Sequence, residues 1–147
     1  MTNLPSAVLF ACTENALRSP MAENILKHFH RGDIYVDSVG VRAGGVDSFA
    51  VEVLDEIGID LSRHRSKRFD DLEDEFYDLI ITLSPEAQHW AVELTRSMAV
   101  EIEFWNTFDP SIVEGNRETR LSAYRQVRDQ LLIRIEGRFP LSPPLDT

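Results

Sequence analysis

Ala7-Val8-Leu9-Phe10-Ala11-Cys12-Thr13-Glu14-Asn15-Ala16-Leu17-Arg18-Ser19-Pro20 opens as one kind of structure and closes as another. Ala7 to Ala11 is a short, continuous apolar run bounded by polar residues, the pattern of a strand buried on both faces. After Cys12 the period changes. Met21, Ile25 and Phe29, with Ala22 and Leu26 beside them, mark one face of a helix. Pro20 suits the first turn of that helix, and Gly32 lies just past its end. A buried strand that turns through a polar loop into a helix is the opening unit of a parallel α/β sheet.

The rest of the chain repeats this alternation. Ile34 to Val39 reads as a second strand ended by Gly40, and Phe49, Val53, Leu54 and Ile57 have helical spacing after Ser48, with Gly58 as the stop. The stretch from Arg63 to Glu75 is mostly charged and reads as a solvated connection with a turn of helix. Asp78 to Leu83 is a third buried strand. Ser84-Pro85-Glu86 opens a helix with a cap residue, a first-turn proline and an acid near the positive dipole end; Ala87, Trp90, Ala91 and Leu94 supply its apolar face, with Trp90 expected in the core. Val100 to Trp105 alternates apolar and acidic residues, as an edge strand does. Arg117 to Arg138 is the longest helix, and Pro140 to Thr147 a loose proline-rich tail. The pattern predicts an α/β fold: one three-layer domain over 1–147, a four-stranded parallel sheet with helices on both faces, and an anion-binding loop after the first strand. In such sheets ligands bind beyond the carboxyl ends of the strands.

Composition bounds the chemistry. The 147 residues carry 25 acidic and 15 basic side chains, a formal charge of −10, which argues against a general nucleic-acid or anionic-membrane binder. One cysteine, Cys12, rules out an internal disulfide framework and a thiolate-rich zinc site. The N-terminus lacks the basic region and apolar run of a signal peptide, and no apolar run is long enough to span a bilayer, so a cytoplasmic protein is expected. No metal or other cofactor is implied.

The loop from Cys12 to Arg18 is where the chemistry concentrates. It places a cysteine at the carboxyl end of a strand and an arginine at a helix N-terminus. Between them the amides of Thr13, Glu14, Asn15, Ala16 and Leu17 can curl inward as an anion cradle. Arg18 adds a planar, permanently charged fork. Amides, helix dipole and guanidinium together favour a thiolate at Cys12, aimed at the centre of a bound tetrahedral oxyanion. A lone cysteine is more often a small buried hydrophobe. The strand-to-helix turn followed by Ser19-Pro20 favours the nucleophile. Asp109, in Phe108-Asp109-Pro110, follows the fourth strand at the same edge of the sheet, and an aspartate before proline is held extended. There it could protonate a leaving oxygen and then act as base on a water.

The N-terminal strand, Cys12 to Arg18 followed by Ser19-Pro20, and the late Asp109-Pro110 resemble the low-molecular-weight protein tyrosine phosphatase family, which shares its fold with thioredoxin-coupled arsenate reductases. The resemblance runs to about Arg138. It implies that the first strand lies centrally in a four-stranded parallel sheet, and that reaction passes through a cysteinyl-phosphate. It implies Cys12 as nucleophile, Arg18 as the phosphoryl-binding arginine and Asp109 as general acid. Asn15 matches the asparagine whose left-handed backbone shapes the loop, Ser19 the hydroxyl that hydrogen-bonds the cysteine sulfur, and Ser38 a serine that braces the asparagine. The chain also departs from the pattern. Glu14 stands where family loops usually have glycine, Leu17 replaces a second loop cysteine, and Ala43-Gly44-Gly45 and Ser111-Ile112 stand where pocket aromatics and tyrosines are usual. Cys12-Thr13 and Ile81-Thr82-Leu83 lean towards the reductase branch, whose two resolving cysteines are missing.

The leading expectation is a phosphomonoester hydrolase acting on a phosphorylated protein or a small phosphomonoester. The alternatives are an arsenate reductase that pairs Cys12 with an external thiol, and a weakly catalytic oxyanion-binding module. His28 and His30 read as solvated helix-end histidines, and His64 and His89 as residues without evident partners.

Overall fold

The computed structural model describes residues 4–72, 76–96 and 98–141. Strands β1 (Ala7–Cys12), β2 (Tyr35–Gly40), β3 (Leu79–Thr82) and β4 (Glu101–Phe104) form one parallel sheet in the order β2-β1-β3-β4. The central position of β1 and the edge position of β4 agree with the sequence reading. The helices are α1 (Arg18–Phe29), α2 (Ser48–Asp55), α3 (Pro85–Leu94) and α4 (Arg117–Arg138), with single 3-10 turns at Phe69–Asp71 and Pro110–Ile112.

Period two along β1 divides the core. Val8, Phe10 and Cys12 face a cluster built with α1, α2 and α4, while Leu9 and Ala11 face a second cluster with Val39, Phe69, Ile80, Ala87 and Ala91 of the α3 side. The register places Cys12 beside Gly40, and Ala11 beside Thr82, which in turn pairs with Phe104. The carboxyl ends of all four strands therefore share one edge, and the loops that follow them meet there.

Two expectations about side chains are corrected. Trp90 is 42% exposed rather than core, because α3 approaches the sheet through the small residues Ala87 and Ala91 and turns the indole outward, where it stacks on Phe69 with centroids 6.4 Å apart. Leu94 is exposed with it. His30 is buried, its Nε2 donating to the Phe139 carbonyl at 2.5 Å, because the end of α4 packs over the end of α1; His28 alone of the pair is solvated. Of the proline-rich tail only Pro140 and Leu141 lie within the described residues, and of the acidic run 70–75 only Asp70, Asp71 and Leu72 do. No described helix is long and apolar enough to cross a membrane.

Candidate active site

The loop between β1 and α1 is held from outside by its carbonyls. Those of Cys12, Thr13, Glu14 and Ala16 accept the amides of Val41, Arg42, Gly44 and Asp47, and the Asn15 carbonyl accepts the Ser66 hydroxyl at 2.7 Å. In a trans peptide the N–H points opposite to the C=O. With the carbonyls drawn outward, the amides from Thr13 to Leu17 are left on the inner side of the loop, the arrangement an anion cradle requires. Gly40 permits this close fit: a Cβ there would stand 2.6 Å from the Asn15 nitrogen and 2.4 Å from the Arg42 carbonyl. Asn15 bends the loop with φ of +52°, a left-handed conformation that asparagine tolerates better than most residues.

A directional hydrogen-bond chain runs behind this loop. Asn15, fully buried, donates through Nδ2 to Ser19 Oγ at 2.8 Å and to Ser38 Oγ at 2.9 Å. Ser38 in turn donates to Glu23 Oε1 at 2.5 Å. Having accepted from Asn15, the Ser19 hydroxyl stands between Cys12 Sγ, 2.9 Å away, and the Val39 carbonyl, 3.3 Å away, and the Ser19 amide lies 3.4 Å from the same sulfur. Asn15 Oδ1 accepts the Lys67 amide at 3.0 Å and His64 Nε2 at 3.0 Å. The expectation that His64 lacks partners is thus corrected: it also reaches the Asn15 carbonyl and stands 3.8 Å from Glu23. Burial pushes the His64 ring below the ordinary histidine value, with the Glu23 charge pulling the other way.

Arg18 is held in place by neighbouring oxygens. Its guanidinium donates to the Thr107 carbonyl at 3.0 Å and to Thr13 Oγ1 at 3.4 Å, and Thr13 donates to Ser84 Oγ at 3.0 Å. Asp109 is extended, as its proline requires, and its Oδ1 accepts the Ser111 amide at 3.0 Å and hydroxyl at 2.7 Å, which fixes the carboxyl direction. A cavity of about 280 Å³ brings these groups together: Cys12, Thr13, Glu14, Ala16, Leu17 and Arg18 form its floor and rim, and Gly44, Asp47, Asp109 and Ser111 are in its walls. Asn15, Ser19 and Ser38 stand behind the floor. Glu14 is exposed at the rim with its side chain laid against Gly44, so closely that a Cβ on Gly44 would meet Oε1 at 2.6 Å. No pocket aromatic is among the residues lining this cavity. Among the described residues no group of three His, Cys, Asp or Glu side chains converges as a metal site.

Sequence reading missed Glu23, His64, Ser66 and Lys67 behind the loop, and Ser84 and Thr107 around Arg18. Nothing in periodicity marks them, since each acts on a residue far along the chain.

The family model for low molecular weight phosphotyrosine protein phosphatases matches residues 7–134. The arsenate reductase of Shouchella clausii (strain KSM-K16) is 35% identical over 131 residues, 88% of this chain and 91% of that protein. Among solved structures, a low molecular weight protein tyrosine phosphatase from T. tengcongensis superposes with a TM-score of 0.73 at 31% identity, covering 88% of this chain and 95% of that one. An arsenate reductase in its oxidized state gives 0.75 at 29%, covering 90% and 95%. Fold, loop and these likenesses agree, and the chain belongs to the low molecular weight phosphotyrosine protein phosphatase family.

Proposed function

We propose that this protein is a cytoplasmic phosphomonoester hydrolase acting through Cys12. The observation that carries the reading is the sulfur itself: the one cysteine in these 147 residues lies at the floor of an oxyanion-shaped cradle, 2.9 Å from the Ser19 hydroxyl, in a cavity shared with Arg18 and Asp109. In the proposed reaction the loop amides and Arg18 bind the phosphoryl oxygens. Cys12 Sγ attacks phosphorus in line, the phosphorus–oxygen ester bond breaks, and Asp109 gives its proton to the leaving oxygen. Water then attacks the cysteinyl-phosphate, yielding its proton to the Asp109 carboxylate, and phosphate leaves with the thiolate restored. Asn15 holds the loop and Ser19 stabilises the departing sulfur.

A second reading has its own support. Two curated relatives at 35% identity are named arsenate reductases, and Thr13 follows the cysteine as the sequence resemblance to that branch suggests. Here arsenate would take the cradle, and two electrons would come from Cys12 and one external thiol, leaving a mixed disulfide for a second external thiol to open. Leu17, in the position of a second loop cysteine, offers no thiol for an internal disulfide. The deciding experiment assays the purified protein against p-nitrophenyl phosphate, and against arsenate with glutathione and with a redoxin. Cys12-dependent ester hydrolysis supports the hydrolase. Cys12-dependent arsenite release with negligible hydrolysis reverses the order. Vanadate binding without either activity leaves only an oxyanion-binding module.

A further inference from the structure

A second cavity, of about 750 Å³, lies on the flank of the molecule between α1, the start of β2 and residues 60–67. Its walls carry Lys27, Arg63, Arg65 and Lys67, four cations gathered in a protein whose formal charge is −10. Three carboxylates share the space. Glu23 and Asp37 are taken by Lys27 and Lys67, and Asp60 is turned onto the amide and hydroxyl of Ser62, at 2.9 and 2.6 Å. Arg63 and Arg65 are exposed, and among the described residues neither has a carboxylate within ion-pair distance or a side-chain hydrogen bond, although Arg63 is near enough to Asp60 to favour its charged form. The wall also contains His30, 2% exposed, whose Nε2 serves the Phe139 carbonyl while Nδ1 is buried without a partner.

The segment that lines this cavity is the one that braces the catalytic loop. Along residues 63–67, Arg63, His64, Arg65 and Lys67 line the cavity, and from the same stretch His64 and Ser66 reach Asn15. The Lys67 amide completes the set on Asn15 Oδ1. Glu23, in the same wall, closes the path from the other side through Ser38. An anion that draws the two exposed guanidinium forks onto its oxygens therefore immobilises the backbone that holds Asn15.

We infer that this cavity is an effector site for a small molecule bearing adjacent phosphate groups, and that its occupancy tightens oxyanion binding at Cys12. The Arg63 and Arg65 forks, side by side on an exposed wall, match the several oxygens of a polyphosphate better than a single carboxylate. Ordering the 63–67 segment before the oxyanion arrives lowers the entropy lost when the loop closes on it, so the two ligands favour each other, and reciprocally. The inference concerns binding, so it stands or falls separately from the hydrolytic reading.

Tripolyphosphate is the probe. It is titrated calorimetrically into wild-type protein saturated with vanadate, and into Arg18→Ala, which lacks the fork of the Cys12 cradle. One site is expected in both, and it weakens at least about tenfold in Arg63→Ala/Arg65→Ala. Saturating tripolyphosphate lowers the vanadate Kd of wild-type protein by about fivefold and leaves that of the double variant unchanged. Tripolyphosphate binding that disappears with vanadate or with Arg18→Ala would assign it to the Cys12 cradle and overturn the proposal. So would equal binding by the double variant, or an unaltered or raised vanadate Kd.

Discussion

Replacing Asn15 separates the two things this residue does: it adopts a left-handed backbone and it ties four groups together. Its side chain donates to Ser19 and Ser38 and accepts from His64 and Lys67, with no exposure to water. Asn15→Ala keeps a Cβ in the left-handed region, which costs about 1–2 kcal/mol, and removes all four partners. A buried polar group left unsatisfied costs about 1–3 kcal/mol, and relaxation or an entering water recovers part of this. A net loss of about 3–5 kcal/mol is expected, at the severe end for point substitutions. Asn15→Gly removes the same hydrogen bonds without the backbone penalty but adds freedom to the unfolded chain, so it should exceed Asn15→Ala in stability by about 1 kcal/mol or a little less. Urea unfolding followed by circular dichroism gives both numbers, and vanadate titration of each folded variant shows what remains of the cradle. Both variants should bind vanadate at least about tenfold more weakly than wild type, because the path from Ser38 to the Cys12 sulfur is cut. A loss under about 1 kcal/mol for Asn15→Ala, or full vanadate affinity in a folded variant, would show that the loop is shaped without this network.

Asp109→Asn should slow hydrolysis most for esters with poor leaving groups and least for activated ones, by about 100-fold or more at the poor end; equal slowing across a leaving-group series removes its role as proton donor. Glu14→Gln should tighten vanadate binding by about two- to fivefold at low salt, the gain shrinking as salt is added, since the carboxylate is exposed at the cavity rim. Unchanged binding at low salt would mean that its carboxylate does not act on the bound oxyanion. Glu56 is held at about 2 in the folded protein, first by the Arg125 hydrogen bond and also by Arg128, against an ordinary value of 4.5. The depressed value means the stability it contributes is complete above pH 4.5 and is lost as pH falls towards 2. Glu56→Gln should flatten that part of the urea-midpoint profile, and high salt should shrink the difference; parallel wild-type and variant profiles would contradict the assignment.

The sheet was legible because its central strands are short, continuous apolar runs with nothing else to be. Cys12, Arg18 and Asp109 were legible because strand ends and a proline fix where they sit. Trp90 misled because a large aromatic at helical spacing ordinarily packs inward. In α3 the contact with the sheet is made by Ala87 and Ala91, and the indole lies over Phe69 at the surface. His64 misled for a different reason. Its partner is 49 residues away, on a loop whose shape exists only after β1, β2 and α1 have assembled, and no local pattern encodes such a contact. The structural positions of Asn15, Ser19 and Ser38 followed from resemblance rather than from spacing, while Glu23 completed their chain unannounced by either. A charged residue at helical spacing among Met21, Ile25 and Leu26 reads as a solvated face, yet Glu23 is 5% exposed.

The central claim is that Cys12 carries the phosphoryl group during turnover. Acid quenching during steady hydrolysis of an aryl phosphate, followed by intact-protein and peptide mass spectrometry, tests it most directly. Asp109→Asn serves alongside wild type, since loss of the base on water should let the intermediate accumulate. One phosphoryl group is predicted on the peptide containing Cys12, in larger amount in Asp109→Asn, and neither label nor hydrolysis in Cys12→Ala. Alanine is used because a serine hydroxyl could itself accept the group. Sustained hydrolysis by Cys12→Ala, or a label found on any other residue, would contradict the account.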